Sequence, residues 1–97
     1  MVKHLVFWKI KDDLDFDGVF TEMKIRVEAL NGEIPGLIKV ELGRDFNGSE
    51  PAFDIGLYSE LESKEALEVY RDHPKHEFVK EFIAAVTKDR AVVDYEV

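Results

Sequence analysis

The chain has 97 residues, with 21 acidic against 13 basic side chains and a formal net charge of −8. That length is read as one domain over residues 1–97. The acidic balance argues against nucleic acid or a membrane surface as partner, because phosphate binding needs clustered positive charge. A hydrophobic content of 45% excludes a disordered chain, and the absence of cysteine excludes disulfides and thiol catalysis. No apolar run approaches the roughly 20 residues needed to span a bilayer. Met1 leads straight into strand-like sequence with no signal-peptide pattern, so a cytoplasmic location is expected.

Val2–Ile10 alternates as a strand, with His4, Val6, Trp8 and Ile10 on one side and Lys3, Leu5, Phe7 and Lys9 on the other. Both sides are apolar in the middle, which predicts a central strand covered on both faces. Asp15 stands as N-cap of a helix predicted over Phe16–Leu30, where Phe16, Val19, Phe20, Met23, Val27 and Leu30 recur every three or four residues. Asn31-Gly32 and Pro35-Gly36 mark its exit. Leu37–Gly43 predicts a second strand, wetter on one side and therefore at an edge. Residues 46–52, with Asn47-Gly48 and Pro51, read as a loop leading to a third strand over Phe53–Glu60, antiparallel to the second.

Ser63 is expected to cap a short helix whose inward face holds Ala66, Leu67 and Tyr70. Pro74 cannot continue that helix but can open a new one, so the chain bends at residue 73 and restarts. The helical pattern resumes with Phe78, Val79, Phe82, Ile83 and Val86, and Ala91–Val97 forms the last strand. The order β-α-β-β-α-β predicts a ferredoxin-like, four-stranded antiparallel sheet with its helices on one face. The other face, to which Leu5 and Phe7 contribute, is left bare. A homodimer closing sheet against sheet is the simplest cover for it.

The stretch Tyr70-Arg71-Asp72-His73-Pro74-Lys75-His76 puts two of three histidines and one of three tyrosines around the bend. If the first strand returns beneath it, His4, Tyr70 and His76 make a small acid–base site. If not, they are a turn and a satisfied surface histidine. His73 reads as a helix cap or hinge. No tight pair of metal ligands sits on one element, so no transition-metal site by side chain is expected, and no cofactor.

Taken in order, Val2-Lys3-His4-Leu5-Val6, Ile34-Pro35-Gly36, Ser59-Glu60-Leu61-Glu62-Ser63-Lys64-Glu65-Ala66, Tyr70-x-x-His73-Pro74-x-His76 and Val92-Val93-Asp94-Tyr95 resemble the stress-responsive A/B barrel domain family over essentially the whole chain. The resemblance implies ferredoxin-like subunits forming a dimeric α/β barrel, with a cavity between sheet and helices. Members include plant stress proteins, bacterial proteins of unknown activity and a plant polyketide cyclase. Carried over from such a cyclase, His76 would act as base on an acidic carbon–hydrogen bond and Tyr70 would steady the enolate or polarise a carbonyl. Asp94 would hold an imidazole in the useful tautomer, and His4 would position the substrate or assist.

A structural alternative has His4 simply bonding Asp94 to satisfy a buried sheet position. Two departures stand out: Arg26 or Val27 replaces the cyclase's first-helix tyrosine, and Trp8 is larger than its cavity-lining leucine. Trp8 would reduce the room for a long ketide chain. Some relatives bind a hard cation through backbone carbonyls, which would fall at Asn31, Ile34 and Leu37 here. The expected function is a homodimer of unassigned activity that binds a small apolar or polyketide-like ligand. The alternatives are a cyclase-like lyase or isomerase using a His/Tyr acid–base pair, and a cofactorless monooxygenase.

Overall fold

A computed structural model describes residues 1–97. The chain runs β1 (Val2–Ile10), α1 (Phe16–Glu28), β2 (Leu37–Arg44), β3 (Ile55–Leu61), α2 (Lys64–Asp72), α3 (Pro74–Val86) and β4 (Thr87–Glu96). The four strands form one antiparallel sheet in the order β2-β3-β1-β4, which is the ferredoxin-like topology. β1 is central and β2 an edge, as the alternation of the one and the wet face of the other predict.

The expected closure into an α/β barrel is a different matter. β2 pairs only with β3 and β4 only with β1, so the sheet ends in two free edges and is open. Closure would need those edges to meet, and barrels whose interior is just filled by side chains take about eight strands. Four strands leave a twisted open layer instead.

Val2, Val6, Trp8 and Ile10 of β1 join Ile55, Leu57 and Leu61 of β3 beneath Met23, Val27, Tyr70, Val79 and Ile83 of the helices. Ser59 is the one buried polar residue, and its hydroxyl donates to the His4 carbonyl at 3.2 Å. That bond removes the cost of an unpaired polar group between β1 and β3. No helix is long and apolar enough to cross a membrane.

Ser63 caps α2 by accepting the Ala66 amide at 3.1 Å. Asp15 occupies the N-cap position of α1, but its side chain makes no capping bond. α1 also stops at Glu28, before Leu30, where Asn31 takes over. The Asn31 amide donates to the carbonyls of Glu28 at 3.0 Å and Val40 at 2.8 Å, and its oxygen accepts the Val40 amide at 2.8 Å. This side chain ties the helix exit to β2. Gly36 then turns the chain at φ +84°, where a Cβ would lie 2.6 Å from that of Ala66. Both the dihedral and the close approach demand glycine.

Candidate active site

Strand register, a helix bend and one inward helix position build the site. In the β1–β4 pairing His4 lies directly opposite Asp94, and its Nδ1 forms a hydrogen bond with the Asp94 carboxylate. The carboxylate thereby favours the tautomer with the proton on Nδ1. The other ring nitrogen, Nε2, makes no hydrogen bond to the protein. Tyr70 stands one turn beyond Ala66 on the buried face of α2, with 1% exposure. Its hydroxyl is the only buried side-chain polar atom without a hydrogen-bond partner.

His73 ends α2 and begins α3 in an extended conformation, and its Nδ1 accepts the Lys75 amide at 3.1 Å. It is a cap at the hinge, with Pro74 in the first turn beyond. The bend folds His76 back over Tyr70, so the two rings stack at 3.9 Å between centroids and 25° between planes. The His4 ring meets the same phenol edge-on at 6.0 Å. His76 Nδ1 faces the Arg71 carbonyl at 3.4 Å, a contact in which the imidazole donates. The structure thus brings His4, Tyr70, His76 and Asp94 together, with the carboxylate on His4 and not on His76.

A cavity of about 340 Å³ opens between sheet and α3, with Val6, Trp8, Leu57 and Ile83 as its apolar wall and His4, Tyr70 and His76 at its polar end. A second lobe of about 340 Å³ shares those three rings and continues past Leu67, Val92 and Asp94. Burial pushes the His76 imidazole down to about 4, helped by the nearby charge of Lys80 and opposed by the Arg71 carbonyl. Burial also holds the Tyr70 phenol well above its ordinary value. At neutral pH the stacked pair is therefore an uncharged imidazole on a protonated phenol.

No group of three histidine, aspartate or glutamate side chains converges as a metal site. At the exit of α1, the Ile34 carbonyl accepts the Leu37 amide at 3.1 Å. Three further cavity residues, Arg71, Lys80 and Arg90, were not candidates in the sequence. Arg90 was legible in principle, because it alternates with Val92 and Asp94. It was missed because β4 starts at Thr87 and not at Ala91.

A two-layer ferredoxin-like domain with a histidine–tyrosine cavity at one end of the sheet is the class these features define. The profile of the stress responsive A/B barrel domain matches residues 2–97, and the chain belongs to that family. A dimeric protein of unknown function with a ferredoxin-like fold from Bacteroides fragilis is 34% identical at a TM-score of 0.87, over 99% of this chain and 95% of that one. Two more distant structures share the fold. One is an Arabidopsis thaliana protein, 23% identical at a TM-score of 0.83 over 100% and 95% of the two chains. The other is a hydroxynitrile lyase from Passiflora edulis, 16% identical at a TM-score of 0.86 over 99% and 92%. No protein of curated function matches the sequence significantly.

Proposed function

We propose that the cavity binds a small, mostly apolar carbonyl compound and moves a proton at the carbon beside its carbonyl, as a lyase or isomerase would. The observation that carries this reading is the Tyr70 hydroxyl, buried and without a partner on a ring that packs against two imidazoles. An unpaired buried hydroxyl costs on the order of 1–3 kcal/mol, and a ligand carbonyl accepting its hydrogen bond would remove that cost. The same bond would strengthen as charge builds on the oxygen of an enolate.

The base in this reading is His4. Asp94 holds its Nδ1 proton, which leaves the Nε2 lone pair free to take a proton from carbon and return it. Burial keeps His76 neutral and lowers its basicity. Its role is to pack the phenol and wall off water. A small ketone fits the 340 Å³ lobe better than a long ketide, since Trp8 fills part of the wall.

The proposed assembly is a homodimer in which the bare faces of two open sheets cover each other. Leu5, Phe7, Tyr58, Val93 and Tyr95 give that face its apolar character. The Bacteroides protein, 34% identical, is itself described as dimeric.

The test uses acetophenone in heavy water, with deuterium entry into its methyl group followed by proton NMR. Exchange should exceed the buffer rate with the wild-type protein and fall to it in Tyr70→Phe and in His4→Gln. Wild-type exchange no faster than buffer would sink the proton-transfer reading.

A further inference from the structure

We infer that the ligand of this cavity is an organic anion, a ketone carrying a carboxylate. The inference rests on the carbonyl-binding reading above and adds to it the charge of the ligand.

The chain has four arginines among its 21 acids. Two lie away from the cavity, and each is tied to a carboxylate: Arg26 to Glu22 at 2.8 Å and Arg44 to Asp17 at 2.7 Å. Both also lie over phenylalanine rings, at 4.4 Å from Phe82 and 4.5 Å from Phe16. The other two, Arg71 and Arg90, line the cavity and have no acidic partner. In a protein with this excess of acid, partners were available. The two arginines without one are the two at the cavity.

Register fixes the direction of Arg90. It pairs with Trp8, so it shares the helix-covered side of β4 with Val92 and Asp94 and faces the space that Trp8 walls. Arg71 follows Tyr70 and lies one turn beyond Leu67, which lines the same lobe. Lys80 adds to this field: its ammonium donates to the Arg71 carbonyl at 3.0 Å, and its charge helps to lower the His76 pKa. It also pairs with Glu77 at 2.5 Å on the solvent side.

Of the two carboxylates lining the cavity, Asp94 is bonded to His4, while Asp89 forms no ion pair and acts on Lys88, which itself holds Asp12 at 2.9 Å. Neither carboxylate is bonded to Arg71 or Arg90, so both guanidinium forks are free to take a ligand. A fork matches the planar two-oxygen edge of a carboxylate, and a low-dielectric wall beside it strengthens the attraction. The ligand this arrangement fits has an apolar body against Trp8 and Ile83, a carbonyl at Tyr70 and a carboxylate toward Arg90 and Arg71.

The probes are para-acetylbenzoate and its methyl ester, which share ring and ketone and differ in the charge. Binding is measured by titration calorimetry, with the histidine and tyrosine NMR signals locating the site. The carboxylate should bind about tenfold tighter than the ester, the gain expected of two partly exposed charge pairs. That advantage should shrink as salt rises. In Arg71→Gln/Arg90→Gln the two probes should bind alike at the ester's affinity, while Arg26→Gln keeps the wild-type preference. Arg90→Lys, which retains charge without the fork, should keep part of it. If both probes bind the wild type equally and shift His76, the anion inference is overturned and the cavity reading stands. If neither binds, both fail.

Discussion

On the helix-covered side of the sheet, Val6, Trp8, Ile55, Leu57 and Leu61 are all at 6% exposure or less. On the opposite side the same two strands present Leu5, Phe7 and Tyr58 half-buried, and β4 adds Val93 and Tyr95 at 54% and 44% exposure. The covered face uses its depth to desolvate a few polar groups: His76, the Tyr70 hydroxyl and the Ser59 hydroxyl. The bare face instead sets cations over its rings, with Lys3 and Lys39 each 5.8 Å from Tyr58 and Lys9 5.6 Å from Phe53. Lysine stems can shield aromatic surface while their heads stay in water. The contrast separates a face that holds the fold and shapes a site from one that is available for association.

The largest effect should come from breaking the covered face. Ile55 is 1% exposed at the start of β3, and Ile55→Ala should cost about 2–5 kcal/mol. Urea unfolding would measure it; a loss well under 1 kcal/mol would mean that the two layers pack more loosely than the contacts of Ile55 indicate.

The next test strikes the same sheet from its other side. Phe7→Asp places a charge on the bare face, where a facing subunit would leave it unpaired. Light scattering should then fall from twice the 11.2 kDa chain mass to the mass of one chain. Circular dichroism should stay at the wild-type level. A mass of two chains retained in the variant would remove this face as the interface.

These two faces were also unequally legible. Alternation in Val2–Ile10 sorted His4, Val6, Trp8 and Ile10 onto the covered side because the strand period is two and both flanks of β1 are packed. The bend at Pro74 was legible for a similar reason, since proline restricts its neighbour wherever it occurs. The open sheet was not, because nothing local in β2 or β4 states whether its free edge finds a partner. The bond between His4 and Asp94 was among the sequence readings, and β1–β4 register is what places the two opposite each other. The early end of α1 follows from three hydrogen bonds of Asn31 to residues on either side of it, a tertiary effect that the apolar spacing up to Leu30 masks.

Within the covered face, His76 gives a pH signature that the bare face lacks. Burial lowers its pKa to about 4 in the folded chain, against about 6.5 for an imidazole in water. Above about pH 6.5 both folded and unfolded chains hold it neutral, and folding is unpenalised. As pH falls below 6.5 the unfolded chain gains a proton that the folded chain refuses until about 4, so stability declines across that window. The loss should be roughly 1–2 kcal/mol after allowing for solvent screening. His76→Gln should flatten this part of the stability profile between pH 7 and 4. An unchanged slope would mean that the imidazole is as wet as a surface histidine.

The smallest effect concerns the one group for which the covered face has no internal answer. Tyr70→Phe deletes the unpaired hydroxyl and keeps the ring that packs on His76 and His4. Removing a buried donor with no partner should stabilise the protein, by about 1 kcal/mol. In a domain of this size that raises Tm by about 4–8 °C. The same change should abolish deuterium exchange into acetophenone, because the carbonyl loses its donor. Opposite signs for stability and activity are what a group held for a ligand would show. If Tyr70→Phe destabilised the chain instead, the hydroxyl would have a partner inside the fold and would serve packing alone.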